Sequence, residues 1–277
     1  MLPFVQYLDL IAHDTMRVVG AMRRTGPTSP VPGCPDWRTG DLLTHLIEMN
    51  DIWGWLVMNR PRDFSDGFEG VAIPVAHTDR LDLLDATNHR LVEALRHVGP
   101  DEAVCYFGTL APAIRVARLM AVETVVHSRD AEQAAGLPAT PIATDVAADG
   151  VAQQLAHLDD GNDAPWLPTG VTLTSTDTGD SWTVLVAQGD LDGTLHLVDG
   201  APVGAQVSAP AAALLPWLFA RSFDDSGVTE SGDPSLLRTL RFALGHEVAP
   251  AERIGRRRWW GRSSAVPVSS GRSRLMS

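Results

Sequence analysis

Glu123 and His127 stand four residues apart in a segment, Pro112 to Gly136, whose apolar residues recur at helical spacing. On a helix the carboxylate and the imidazole therefore project from one face at adjacent turns. His45 interrupts a second apolar stripe made of Leu42, Leu46, Met49 and Trp53, and a facing helix would bring it to the same place. A glutamate on a buried stripe needs a partner, because an unpaired carboxylate is almost never tolerated in a core. Two imidazoles and one carboxylate suit a divalent transition metal, most simply zinc. Three protein ligands leave a fourth position open for water or a thiol, which marks a catalytic rather than a structural site. The spacing alone also fits a local ion pair with a hydrogen-bonded core histidine.

The elements that must position these residues are legible as helices. Phe4, Leu8, Ile11, Val18 and Met22 define a first helix that should stop at Gly26-Pro27, and a loop rich in proline and glycine, PTSPVPGCPDW, follows. Thr39 is the expected N-cap of the second helix, with Asp41 in its first turn and an end near Asn59. Leu81, Leu84, Asn88, Leu91, Leu95 and Val98 mark a third, the Pro112–Gly136 segment is the fourth, and a shorter helix covers 146–158. Several helices with one apolar stripe each predict a bundle.

After residue 158 the period changes. VTLTSTD and SWTVLVAQ alternate apolar and polar residues around a DTGD turn, and GTLHLVDG and GAQVSAP read as two further strands. Ala211 to Ala220, interrupted by Pro216, and a segment opened by Asp233 and Pro234 read as helices. The expected organisation is a helical domain over 1–158, a linker over 159–170, a small α+β domain over 171–246 and a basic, disordered tail over 247–277.

Composition narrows the function classes. The chain has 277 residues and a formal charge of −12, and all 22 of its basic residues are arginine. Residues 251–277 hold seven arginines and one glutamate, which leaves the body strongly acidic. An acidic body disfavours nucleic-acid binding as the main task, although the arginine- and Trp-bearing tail could meet an anionic surface. Two cysteines, the absence of a secretory signal pattern and the absence of a long apolar run predict a cytoplasmic protein without membrane spans. Avoidance of lysine, whose codons are A-rich, fits a GC-rich genome.

The stretch CPDWRTGDLLTHL together with VETVVHSRDAEQAAGLP and VAADGV resembles the actinobacterial mycothiol-dependent maleylpyruvate isomerase family. In the second half TSTDTGDSW, LLPWLFARS and SGDPSLLRTL are similar to the same family's small α+β domain. The resemblance implies a DinB-like four-helix bundle followed by a sterol-carrier-like α+β domain. It also implies a divalent metal held by His45, Glu123 and His127, the residues that spacing singles out. Mycothiol is the implied thiol cosubstrate. The implied reaction is cis–trans isomerisation of an activated small acid, or S-transfer to it, by a metal-activated thiol; the alternative is a non-enzymatic small-ligand binder with a structural or vestigial metal site. The expected partners are thus a small-molecule substrate and a low-molecular-weight thiol, and the expected state is a monomer. A dicarboxylate substrate calls for an arginine clamp, and Arg221, in the segment LLPWLFARS, is the first candidate to reach across the domain interface; a salt bridge there is the competing role. The sequence departs from the family pattern at Val122 and Ser128, which flank the ligand pair where relatives carry polar or basic residues.

Other residues carry less. Cys34 is expected to anchor its loop with Trp37, and Asn88 either lines the pocket or points outwards. His13, His77, His89, His97, His157, His196 and His246 are expected to be solvated or structural. Asp130 is expected to be a helix-surface charge, with a role in holding an arginine or orienting a ligand imidazole as the other reading.

Overall fold

The computed structural model describes residues 1–61, 67–156, 169–186, 195–197, 202–221 and 227–243. Most of the expected linker, His157, His246 and the basic tail lie outside the described residues.

Four long helices form the first part: α1 (Phe4–Met22), α2 (Thr39–Asn59), α3 (His77–Val98) and α4 (Ala113–Ala134). α1 packs on α4 and α2 on α3, and α2 also touches α4, which sets the three expected ligands on facing helices. α1 ends before Gly26 because its last bonds tighten, with the Arg24 N–H reaching Ala21 O and the Thr25 N–H reaching Met22 O. Thr39 is not an N-cap but the first helical residue of α2; its hydroxyl donates to the Gly26 carbonyl. The Asp41 carboxylate, one turn in, accepts from the Arg38 N–H at 2.8 Å and so satisfies the helix entrance.

A short hairpin, β1 (Ala103–Tyr106) and β2 (Thr109–Pro112), joins α3 to α4 and was not expected from periodicity. Its two-residue loop has φ 47° at Phe107 and 80° at Gly108, the pair of positive values that a type I′ turn demands. Phe-Gly lacks the Asn-Gly signal that usually announces such a turn. Four-residue strands are also too short for alternation to register.

α5 (Thr144–Ala156) leads into a five-stranded sheet of order β5-β4-β3-β6-β7, built from β3 (Gly170–Ser175), β4 (Ser181–Val186), β5 (Leu195–Leu197), β6 (Val203–Ala209) and β7 (Thr229–Gly232). β3 and β6 pair in parallel and every other pair is antiparallel. The helices α6 (Ala211–Leu218) and α7 (Pro234–Ala243) complete a small α+β unit. Asp233 caps α7 as its sequence predicts, accepting from the Ser235 N–H at 2.8 Å. β7 was missed because all four of its residues, TESG, are exposed and carry no apolar signal. No helix among the described residues is long and apolar enough to cross a membrane.

The two parts share a seam. Val122, Val125 and Val126 of α4 and Val146, Val151 and Leu155 of α5 lie in one buried cluster with Leu214, Leu215 and Leu218 of α6 and Val171, Leu173 and Val207 of the sheet. Each fully buried aliphatic side chain contributes about 1.5–3 kcal/mol, whereas a buried ion pair contributes little net stability. The apolar seam therefore holds the parts together, and polar contacts across it set registration. One face of α4 packs on this seam, and the same helix carries Glu123 and His127.

Candidate metal centre

The structure gathers His45, Glu123 and His127, with one ligand atom from each lying within 4.8 Å of the other two. Glu123 Oε2 is 3.4 Å from His127 Nε2 and 3.8 Å from His45 Nε2. The imidazole rings meet edge-on, their centroids 5.0 Å apart at 70°. Bonds of about 2.0–2.2 Å arranged tetrahedrally place donor atoms roughly 3.4 Å apart, so a small contraction of this triangle accommodates an ion. His45 Nε2 is buried and has no hydrogen-bond partner among the described residues. An orphaned imidazole nitrogen facing a carboxylate is costly in a finished core and natural in a ligand set.

Trp37 covers the pair of imidazoles, its ring stacked on His127 at 5.8 Å and tilted against His45 at 5.0 Å. The loop before α2 puts it there through its own backbone bonds. The Cys34 N–H reaches Val31 O, the Trp37 N–H reaches Cys34 O and the Val31 N–H returns to Trp37 O, and Pro30 bridges Arg38. The anchoring role expected of Cys34 and Trp37 thus has a further consequence, because the anchored loop forms a wall of the site.

Asp130 takes the second of its two expected roles, holding an arginine and orienting an imidazole. Its side chain is only 2% exposed, not a surface charge, and Oδ2 lies 2.9 Å from His127 Nδ1. A helix residue three positions after His127 lies close to it on the same face, and that spacing was the available signal. The carboxylate fixes the other ring nitrogen, so Nε2 is the one left to face Glu123 and His45. Asp130 also holds Arg221, whose Nη2 is 2.7 Å from Oδ2 and whose Nε is 3.3 Å from Oδ1. Arg221 does cross the interface, yet its fork is engaged: Nη2 also donates to Cys34 Sγ at 2.9 Å and Nη1 donates to the Phe219 carbonyl. Its approach is set by a helix terminus. The Ala220 N–H reaches Trp217 O, the Arg221 N–H reaches Pro216 O, and Ala220 takes the left-handed φ of 57°, which together close α6 and turn the chain towards α4.

The electrostatics are asymmetric. Burial opposes the charge on Glu123, but the adjacent imidazoles, His127 at 3.4 Å and His45 at 3.8 Å, outweigh it and hold the carboxyl well below the usual range. Burial likewise disfavours a charged His127, yet its bonds to Asp130 and Glu123 raise its pKa. For His45 burial prevails and lowers the pKa. Burial works against ionisation of Asp130 too, and Arg221 and then His127 overcome it and pull the carboxyl below its ordinary value. Burial, followed by the Asp130 charge, pushes the Cys34 thiol up to about 12. In metal-free protein the two rings should therefore separate in a ring-proton NMR titration, His127 above and His45 below the ordinary value of about 6.5. Zn2+ should abolish both transitions near neutral pH. Coincident midpoints for the two rings would contradict the asymmetry.

Elsewhere the sequence expectations resolve simply. Asn88 neither lines the site nor points outwards; it is buried and accepts from the Thr15 hydroxyl at 3.1 Å. Ser128 is fully buried and faces Val125 O and Asp14, and Val122 packs in the seam, so neither departure from the family pattern puts a polar group at the three ligands. His77 bonds Met22 O at 2.9 Å in a structural role.

The family model that describes the mycothiol maleylpyruvate isomerase N-terminal domain matches residues 8–132. Those residues belong to that domain family. The matched stretch holds His45, Glu123, His127 and Asp130, and Arg221 lies beyond it. Two solved structures are similar over both parts of the chain. A crystal structure of the mycothiol-dependent maleylpyruvate isomerase gives a TM-score of 0.57 at 17% identity, covering 84% of this chain and 95% of that one. A histidine-to-alanine mutant of that enzyme gives a TM-score of 0.56 at the same identity and coverage. At this identity the likeness establishes the fold alone, a helical domain followed by a small α+β unit. No curated protein matches the chain by sequence comparison.

Proposed function

We propose that the protein is a thiol-dependent metalloenzyme in which His45, Glu123 and His127 hold one divalent ion, zinc by the chemistry of the donors, and mycothiol is the thiol cosubstrate. The observation that carries this reading is the buried His45 Nε2, which has no hydrogen-bond partner among the described residues and faces a carboxylate shared with His127. A bound ion in such a site stabilises a thiolate over a thiol and so supplies a nucleophile at neutral pH.

The residues of this chain do the rest. Glu123 brings the negative charge that a dication requires. Asp130 keeps His127 in the tautomer whose Nε2 is free, and Trp37 shields the imidazoles from water. The cysteine nearest the site is not the nucleophile, because Cys34 holds its proton at neutral pH. The substrate is an activated small acid that undergoes cis–trans isomerisation or accepts the thiol. Arg221 is the cation at hand for its carboxylate, and pairing through the full guanidinium fork would require release of Asp130.

Elemental analysis of purified protein tests the ligand set. About one equivalent of divalent metal is expected in wild type, with loss of most of it in His45→Ala and in Glu123→Gln. Unchanged metal content in both variants would remove the assignment. Thiol-dependent turnover of maleylpyruvate, measured on the loaded protein, then separates isomerase from S-transferase.

A further inference from the structure

His127 faces two donor sets. Its Nε2 belongs with His45 and Glu123; its Nδ1 side belongs with Asp130 and Cys34, and one ligand atom from each of these three lies within 4.8 Å of the others. Asp130 Oδ2 is 2.9 Å from His127 Nδ1 and 3.7 Å from Cys34 Sγ. A zinc-like ion with bonds of about 2.0–2.3 Å needs donor separations of roughly 3.3–3.8 Å; the Cys34–Asp130 separation falls in that range, and an ion here would displace the Cys34 thiol proton and the His127 Nδ1 proton and widen the 2.9 Å His127–Asp130 contact. Such a second site would be softer than the first because it contains sulfur.

A cation already stands there. Arg221 Nη2 is 2.7 Å from Asp130 Oδ2 and 2.9 Å from Cys34 Sγ, the place from which an ion would bind both. The side chain that delivers it is 7% exposed, and its guanidinium keeps its charge at every accessible pH. We propose that Arg221 plugs a latent soft-metal site formed by Cys34, Asp130 and His127, confining metal to the His45–Glu123–His127 face of the shared imidazole. The plug belongs to the α+β unit and the donors to the helical domain, so docking of the two parts closes the second site. The inference shares His127 with the proposed metal centre but not His45 or Glu123, and the two readings can fail separately.

Anaerobic titration of full-length protein with Co2+ tests it, because cobalt reports thiolate ligation by a near-ultraviolet charge-transfer band. Wild type should show no such band. Arg221→Gln, which keeps an amide donor for Asp130, should gain the band and take up one Co2+ more than wild type; Arg221→Met, loaded with Co2+ during refolding, is the second variant. Adding Cys34→Ser to either should abolish the band and the extra equivalent. A thiolate band of equal strength in wild type would overturn the proposal, as would folded Arg221 variants with neither band nor extra ion. If wild type binds no Co2+ while Arg221→Gln gains the band, the plug stands and the His45–Glu123–His127 reading falls.

Discussion

Asp130→Ala is expected to cost about 3–5 kcal/mol of folding stability, the range for removing one partner of a buried ion pair. Asp130 is 2% and Arg221 7% exposed at the side chain, so neither charge is screened by solvent. Without the carboxylate the guanidinium cannot escape by losing its proton. It would be left against Cys34 Sγ and the Phe219 carbonyl, and His127 Nδ1 would lose its partner. The double variant Asp130→Ala/Arg221→Met should recover a large part of the loss, since the penalty comes mostly from stranding one charge. Because the folded-state pKa of Asp130 is depressed, its contribution is fully present above the unfolded value of about 3.9 and fades as pH falls below it. The deficit between wild type and Asp130→Ala should therefore narrow in acid. Urea unfolding across that range measures both effects. A single-variant loss under about 1 kcal/mol, the scale of a solvent-exposed pair, would show that the interface is wet.

The fold was legible wherever an element buries one continuous stripe. α3 matches its apolar run, α4 begins where Pro112 announces it, and Asp233-Pro234 marks the start of α7, because period and capping are local properties. The β1–β2 hairpin and β7 were not legible, since strands of four residues show little periodicity and β7 has no buried face. The same distinction separates the parts of the site. Glu123 and His127 are a local pair, and His45 is an anomaly on its own stripe; spacing exposes all three. What surrounds them depends on contacts between residues far apart in the chain: Asp130 with Arg221, Arg221 with Cys34, and Trp37 with both imidazoles. No period in a sequence encodes such encounters. Asp130 reads as a surface charge in isolation because its burial is imposed by a loop that ends at residue 38 and a helix terminus at residue 221.

Gly33 shows how tightly that loop is drawn in. A methyl carbon added there would lie 2.1 Å from Asp130 Oδ1, 3.1 Å from Asp130 Cγ and 3.2 Å from Arg221 Cγ. The carboxylate has no room to retreat, since Oδ2 is fixed by His127 and Arg221 and Oδ1 by Arg221 Nε. Gly33→Ala must therefore push the loop outwards or rotate the carboxylate away from the imidazole. Overpacking of this kind costs about 1–3 kcal/mol, and thermal or urea unfolding should register it. The more telling effect is on the ion. If Asp130 orients His127 for the metal, disturbing it should weaken metal affinity by about 10–100-fold, read by competition with a chromogenic chelator at fixed pH. The three atoms nearest the added methyl belong to Asp130 and Arg221 and none to a ligand, so weaker metal binding would travel through Asp130. A variant that loses stability but competes for metal as well as wild type would mean that the carboxylate serves docking alone.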